Sequence, residues 1–135
     1  MRTVSLSEGF GLENLRLETR ADPSCGPRDV LVRVRAALLN ARDSMMVRGT
    51  YNPRQKLPLI PCSDAAGEVV ALGAEVSDWA LGERVCPVFA PLWQAGELTR
   101  EAQRNTLGGP LDGTLREYFV ADAQALVQAG QHLLS

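Results

Sequence analysis

Residues 57–85 read LPLIPCSDAAGEVVALGAEVSDWALGERV. Pro58 and Pro61 fix a stiff entry, because proline locks its own φ and restricts the residue before it. Ser63 and Asp64 follow, and then Ala65, Ala66 and Gly67, which leave little side-chain bulk between the backbone and whatever lies opposite. Glu68 to Leu72 is a β-type run, Gly73-Ala74-Glu75 turns the chain, and Gly82-Glu83-Arg84-Val85 opens the next strand. A loop that places one acid beside small residues, followed by strand, turn and strand, is the arrangement around which the rest of the chain is read.

Outward from it, the pattern stays strand-like. Thr3 to Leu6 and Glu13 to Thr19 alternate, and the glycines around Ser7 to Gly11 predict a hairpin between them. Asp22 to Pro27 is loop by composition. Asp29 to Ala37 (DVLVRVRAA) is the clearest strand, with Val30, Val32 and Val34 on one face and Leu31, Arg33 and Arg35 on the other. Asn40 to Arg48 predicts a short helix ended by Gly49, and Leu98 to Asn105 a helical turn capped by Thr99. Glu83 to Val88 and Thr114 to Val120 (TLREYFV) are the remaining strands. Many short strands, glycine turns and little helix predict a mainly β chain, a small barrel or sandwich, in one domain over residues 1–135.

Composition bounds the function. With 45% hydrophobic residues in 135 the chain has enough apolar material for a core. A net charge of −2, with the arginines scattered, argues against a nucleic-acid partner. The three cysteines, Cys25, Cys62 and Cys86, are odd in number and form no C-x-x-C pair, which suits free thiols in a reducing compartment. No stretch has the length of a membrane span or the form of a signal peptide, so the expected location is cytoplasmic, without membrane attachment. No G-x-G-x-x-G follows a strand; Gly9-Phe10-Gly11 comes too early and is wrongly flanked.

Two constellations offer chemistry. Asn40-Ala41-Arg42-Asp43, continuing to Arg48-Gly49-Thr50-Tyr51, follows the best strand directly, where functional loops are commonly mounted. Asn40 both donates and accepts hydrogen bonds, Asp43 carries a carboxylate and Tyr51 a phenol. The same residues also read as a plain helix start, with Asn40 as N-cap and Asp43 at the third position. The second constellation is Cys62-Ser63-Asp64. Asp64 either fixes its loop by accepting backbone N–H groups or acts as a base, and Ser63 either donates to a substrate carbonyl or caps the turn. Trp93 either lines a pocket for an apolar ligand or anchors its own loop, while Trp79 reads as packing.

These segments, in this order and spacing, resemble the catalytic domain of medium-chain dehydrogenases/reductases, the superfamily of alcohol dehydrogenases and quinone oxidoreductases. N-x-R-D-x-x-x-x-R-G-x-Y, Cys62 to Gly67 and Leu111 to Tyr118 carry the likeness, which covers nearly the whole chain. Two departures stand out. Ser63 occupies the place of a zinc-binding histidine in the G-H-E-x-x-G loop of zinc enzymes, and Arg116 stands where a small residue is commoner. The resemblance implies a GroES-like, partly open β-barrel with short helices, and a Rossmann domain that is absent from this chain and would bind NAD(P)H. It implies that Asn40 faces both substrate and nicotinamide, with Ser63 and Asp64 as further catalytic residues and Asp43, Tyr51 and Trp93 around the substrate.

No zinc is expected. Asn40, Ser63 and Asp64 offer one anionic ligand and two neutral oxygens, Cys62 is one position off, and the single histidine, His132, lies in the C-terminal tail. The expected activity is zinc-independent, NAD(P)H-dependent oxidation or reduction of a small alcohol, carbonyl or quinone-like compound. The isolated chain is expected to be inactive for want of its nucleotide-binding partner domain. The alternative is a freestanding GroES-like binding or assembly module. An isolated barrel would also expose its apolar cleft wall, so homo-oligomerisation is a further expectation.

Overall fold

The computed structural model describes residues 1–93 and 96–130. The N-terminal alternating runs form a hairpin, β1 (Arg2–Leu6) against β2 (Leu15–Thr19). The other strands are β3 (Asp29–Leu38), β4 (Asp64–Leu72), β5 (Arg84–Pro87), β6 (Tyr118–Asp122) and β7 (Leu126–Gln128). They make one antiparallel sheet in the order β6-β3-β4-β5-β7.

The two edge strands of that order, β6 and β7, are joined by only three residues, Ala123–Ala125. Four strand spacings across a flat sheet come to about 19 Å, and four Cα steps span at most about 14 Å fully extended. The sheet therefore has to curl, as the expected partly open barrel requires. Its interior is filled by Val30, Val32, Ala65, Val69, Val85, Phe119 and Leu126. Trp79 packs on this core and donates its indole N–H to the Ala123 carbonyl at 2.7 Å, so it is the packing residue that its position suggested. On β3, Val30 and Val32 are buried and Val34 is partly so, with register shifts at Leu31/Val32 and Val34/Ala36.

Two boundaries differ from the sequence expectation. β4 begins at Asp64, four residues before Glu68, because Ala65, Ala66 and Gly67 pair with Ala37, Ala36 and Val34. A Cβ on Gly67 would collide with the Arg33 carbonyl, so glycine lets the two strands pass closely. The strand expected from Thr114 starts instead at Tyr118. Residues 113–115 are taken up by the Ile60–Cys62 loop: Gly113 N–H donates to the Ile60 carbonyl at 2.7 Å and Thr114 N–H to the Cys62 carbonyl at 3.1 Å. The Thr114 hydroxyl donates to the Asp64 carbonyl at 3.0 Å.

Helix α1 (Ala41–Arg48) closes on Gly49 in the left-handed conformation, and α2 (Arg100–Arg104) is capped by Thr99, whose hydroxyl oxygen accepts from Ala102 N–H at 3.1 Å. The three cysteines are free thiols, and among the described residues no helix is long and apolar enough to cross a membrane. His132 lies outside the described residues.

The grip of residues 113–115 on the Ile60–Cys62 loop generates a stability prediction. A Cβ on Gly113 would drive into the Cys62 and Pro61 carbonyls. Gly113→Ala is expected to lower unfolding free energy by about 3 kcal/mol or more, read as a fall in the urea midpoint.

Candidate active site

The site is built where β3 ends and β4 begins. Antiparallel pairing sets Leu38 opposite Asp64, so Asn40, two residues on, lies just past the start of β4. The result is a direct bond: the Asn40 amide nitrogen donates to Asp64 Oδ2 at 2.6 Å. Asn40 is also the N-cap of α1 and forms a capping box with Asp43, whose Oδ2 accepts from the Asn40 backbone N–H at 2.9 Å. The helix-start and polar-site readings of Asn40 are thus compatible. Its backbone and Asp43 begin the helix, while its amide nitrogen turns to Asp64 and keeps a second hydrogen that no described group accepts. Asn40 is exposed, whereas Asp43 is only 4% exposed.

Asp64 borders an apolar hollow of about 220 Å³ whose walls include Leu38, Ala65, Cys86 and Pro87. Ser63 is buried immediately before β4. Asn40, Asp43, Ser63 and Asp64 are therefore gathered at one end of the β3–β4 pair. Tyr51 is half exposed and lies elsewhere, beyond α1, facing a different hollow. Trp93 is half exposed, and its indole N–H donates to the Gly96 carbonyl at 3.1 Å, a contact within its own loop.

Cys62 adopts φ 75°, the left-handed region that side chains usually avoid. Its thiol is buried; burial first, then the Asp43 and Asp64 carboxylates, push it from 9.0 up to about 12. Burial and then Asp64 raise the Cys86 thiol as well. Both sulfurs beside the site are therefore neutral thiols at pH 7 and weak nucleophiles. Among the described residues no three His, Cys, Asp or Glu side chains converge as a metal-binding group. The Asn40 amide is engaged as a donor to Asp64, the carboxylate that would have to serve a metal. This donor set does not fit tetrahedral zinc.

Arg42, within Asn40-Ala41-Arg42-Asp43, takes a place that the sequence pattern does not mark. Its guanidinium lies 4.9 Å from the ring centres of both Tyr51 and Phe89, and donates to the carbonyls of Leu107 at 3.1 Å and Gly109 at 2.7 Å. The sequence carried no local signal for this, since its partners lie 47 or more positions further on, apart from Tyr51.

Comparison with known proteins adds to this geometry. Residues 26–131 match the family described as the alcohol dehydrogenase GroES-like domain. A zinc-type alcohol dehydrogenase-like protein of Schizosaccharomyces pombe is 35% identical over 134 residues, covering 98% of this chain and 39% of that protein. A quinone oxidoreductase of Lama guanicoe is 37% identical over 86 residues, 63% of this chain and 26% of its own length. Among solved structures, an NAD-dependent alcohol dehydrogenase superposes with a TM-score of 0.77 at 31% identity, over 95% of this chain and 39% of the other. The chain thus spans well under half the length of these relatives.

The Cys62 shift fixes a pH dependence. A thiol raised in the folded state keeps its proton after the unfolded chain has released it, so stability falls as pH rises above about 9. The urea midpoint of the protein is expected to drop between pH 9 and pH 11, and that of Cys62→Ala to drop less over the same interval.

Proposed function

The chain belongs to the alcohol dehydrogenase GroES-like family, and from that premise we propose that it is the substrate-holding half of a zinc-independent, NAD(P)H-dependent oxidoreductase. The substrate would be a small alcohol, carbonyl or quinone-like compound. The observation that carries this reading is the Asn40–Asp64 bond, which aims a neutral amide where a metal enzyme would need a ligand. Asp64 holds one amide hydrogen and so sets the plane of Asn40; the second hydrogen is left for a carbonyl oxygen of the substrate. The apolar hollow beside Asp64 gives a flat ring a place that excludes water. A nicotinamide bound there would supply the hydride. The chain's own part is orientation, hydrogen bonding at the oxygen, and dryness.

Ser63, buried next to Asp64, supports the loop and is a second candidate donor to that oxygen. Asp43 holds the start of α1 and positions Asn40 rather than touching the substrate. Trp93, on the segment after β5, serves as an apolar wall over the cleft. NAD(P)H would be held by a dinucleotide-binding domain outside these residues, and the exposed Leu38 and Leu39 beside Asn40 suit a covered face.

Hydride transfer from NADH and NADPH to a panel of quinones and aldehydes, and from alcohols to the oxidised cofactors, tests the reading. It is measured on this domain joined to a dinucleotide-binding domain. Turnover is expected there and not with the 135-residue chain alone. Asn40→Ala is expected to lower kcat by about 10²-fold, the scale seen on removing one oxyanion donor. Full activity in that variant, or one zinc per chain by elemental analysis, overturns the assignment.

A further inference from the structure

We propose that the hollow between α1 and α2 is an oxyanion site, which receives a carboxylate or phosphate carried at the far end of the substrate. The hollow, of about 580 Å³, is lined by Arg42, Tyr51, Arg100, Gln103 and Arg104, and no acidic residue is among its walls. Its volume lies within the usual range for small-molecule sites.

Three guanidinium groups border it, and among the described residues none of the three makes an ion pair. Arg42 is held by neutral partners, the Leu107 and Gly109 carbonyls, the Thr106 hydroxyl and the rings of Tyr51 and Phe89, and among the described residues its buried Nε has no hydrogen-bond partner. This is a positive charge fixed in place without a counter-charge. Its sequence neighbour Asp43 makes no ion pair with it among the described residues; Asp43 Oδ2 accepts from the Asn40 backbone N–H, and its buried Oδ1 has no hydrogen-bond partner there.

Arg100 and Arg104 stand at i and i+4 on α2, where like charges repel, and both are exposed. Glu101 lies on the same helix but not among the walls of the hollow, and an oxyanion between the two helices would supply the counter-charge that the hollow lacks. Guanidinium groups present paired N–H donors that match carboxylate and phosphate oxygens. Arg42 is already immobilised, so little further side-chain entropy is lost when it contributes its field to a bound anion. The half-exposed Tyr51 ring offers an apolar face to the body of the ligand.

Asn40 is the N-cap of α1 and Arg42 its second residue, so the two side chains do not share a face of the helix start. A compound long enough to reach round the start of α1 would carry its reacting oxygen at Asn40 and its charge among the arginines. That the occupant is the substrate rests on the oxidoreductase reading above; the binding itself does not.

The test titrates the chain with inorganic phosphate and, separately, with benzoate while backbone amide resonances are followed. Saturable shifts at Arg42, Tyr51, Arg100 and Arg104 are expected with at least one probe. The one that binds identifies the substrate's charged group as phosphate or carboxylate. Arg100→Gln/Arg104→Gln, at exposed positions, is expected to weaken binding by about tenfold or more, while Arg28→Gln/Arg33→Gln, which removes the same charge elsewhere, leaves it unchanged. Absence of saturable shifts with both probes, or equal weakening by both double variants, overturns the site. Anion binding without hydride transfer in the two-domain assay would sink the oxidoreductase reading and keep the site. Hydride transfer without anion binding would do the reverse.

Discussion

The three-residue link between β6 and β7 is the constraint on which the molecule depends. Strands that are neighbours in sequence stand at opposite edges of the sheet order, so the link can be made only if the sheet bends round on itself. The bend turns one face of β3, β4, β5, β6 and β7 inward, where Val30, Val32, Val69, Val85 and Phe119 meet. Burying a side chain of this kind is worth about 1.5–3 kcal/mol. β6 and β7 remain the edge strands of the sheet, tied to each other by the link. What remains open is the rim where β3 runs out and β4 starts, and the polar residues lie there.

The rim inherits its precision from register. Leu38 pairs with Asp64 because Ala37, Ala36 and Val34 pair with Ala65, Ala66 and Gly67, and Gly67 allows the close passage. A slip of one residue would turn Asp64 to the opposite face and part it from Asn40. The loop before β4 is pinned independently. Ile60 N–H donates to Asp112 Oδ1 at 3.0 Å, and residues 113–115 close over the Ile60, Pro61 and Cys62 carbonyls. Two sets of backbone bonds, one from the sheet and one from the segment before β6, therefore fix a single carboxylate.

Much of this was legible in the sequence. Alternation in DVLVRVRAA gave the central strand, and the asparagine after it, with Asp43 three residues on, marked the helix start. The small residues after Asp64 read as a loop because alanine and glycine are weak β-formers; pairing with β3 makes them strand, which only tertiary structure reveals. TLREYFV failed in the opposite sense. Its residues favour strand, yet Thr114 spends its N–H and hydroxyl on the 62–64 loop, and the regular ladder waits until Tyr118. Of the expected site residues, Asn40, Asp43, Ser63 and Asp64 converge, because all four are fixed by local caps or by one strand pair. Tyr51 and Trp93 sit on irregular segments held by local contacts, Tyr51 N–H to the Met45 carbonyl and the Trp93 indole to the Gly96 carbonyl, and no strand pairing carries either to the rim.

The arrangement of charge around Asn40 follows from the same geometry. Asp43 and Asp64 flank the loop that holds Cys62, and burial keeps that thiol protonated, so no third negative charge forms between them at neutral pH. Asp43 faces the start of α1, where the partial positive charge of the helix end favours an acid. Asp64 instead meets the Asn40 amide, a neutral dipole. An amide held by a carboxylate on one hydrogen is fixed in plane and keeps the other hydrogen to present. Its polarising power is smaller than a metal ion's, since it offers a dipole rather than a full charge. On the proposed reading, the deficit is met by exclusion of water from the hollow beside Asp64, where a hydrogen bond is worth more than in solvent. A substrate anchored by its charge among Arg42, Arg100 and Arg104 would add orientation, the other source of rate open to a site without a Lewis acid.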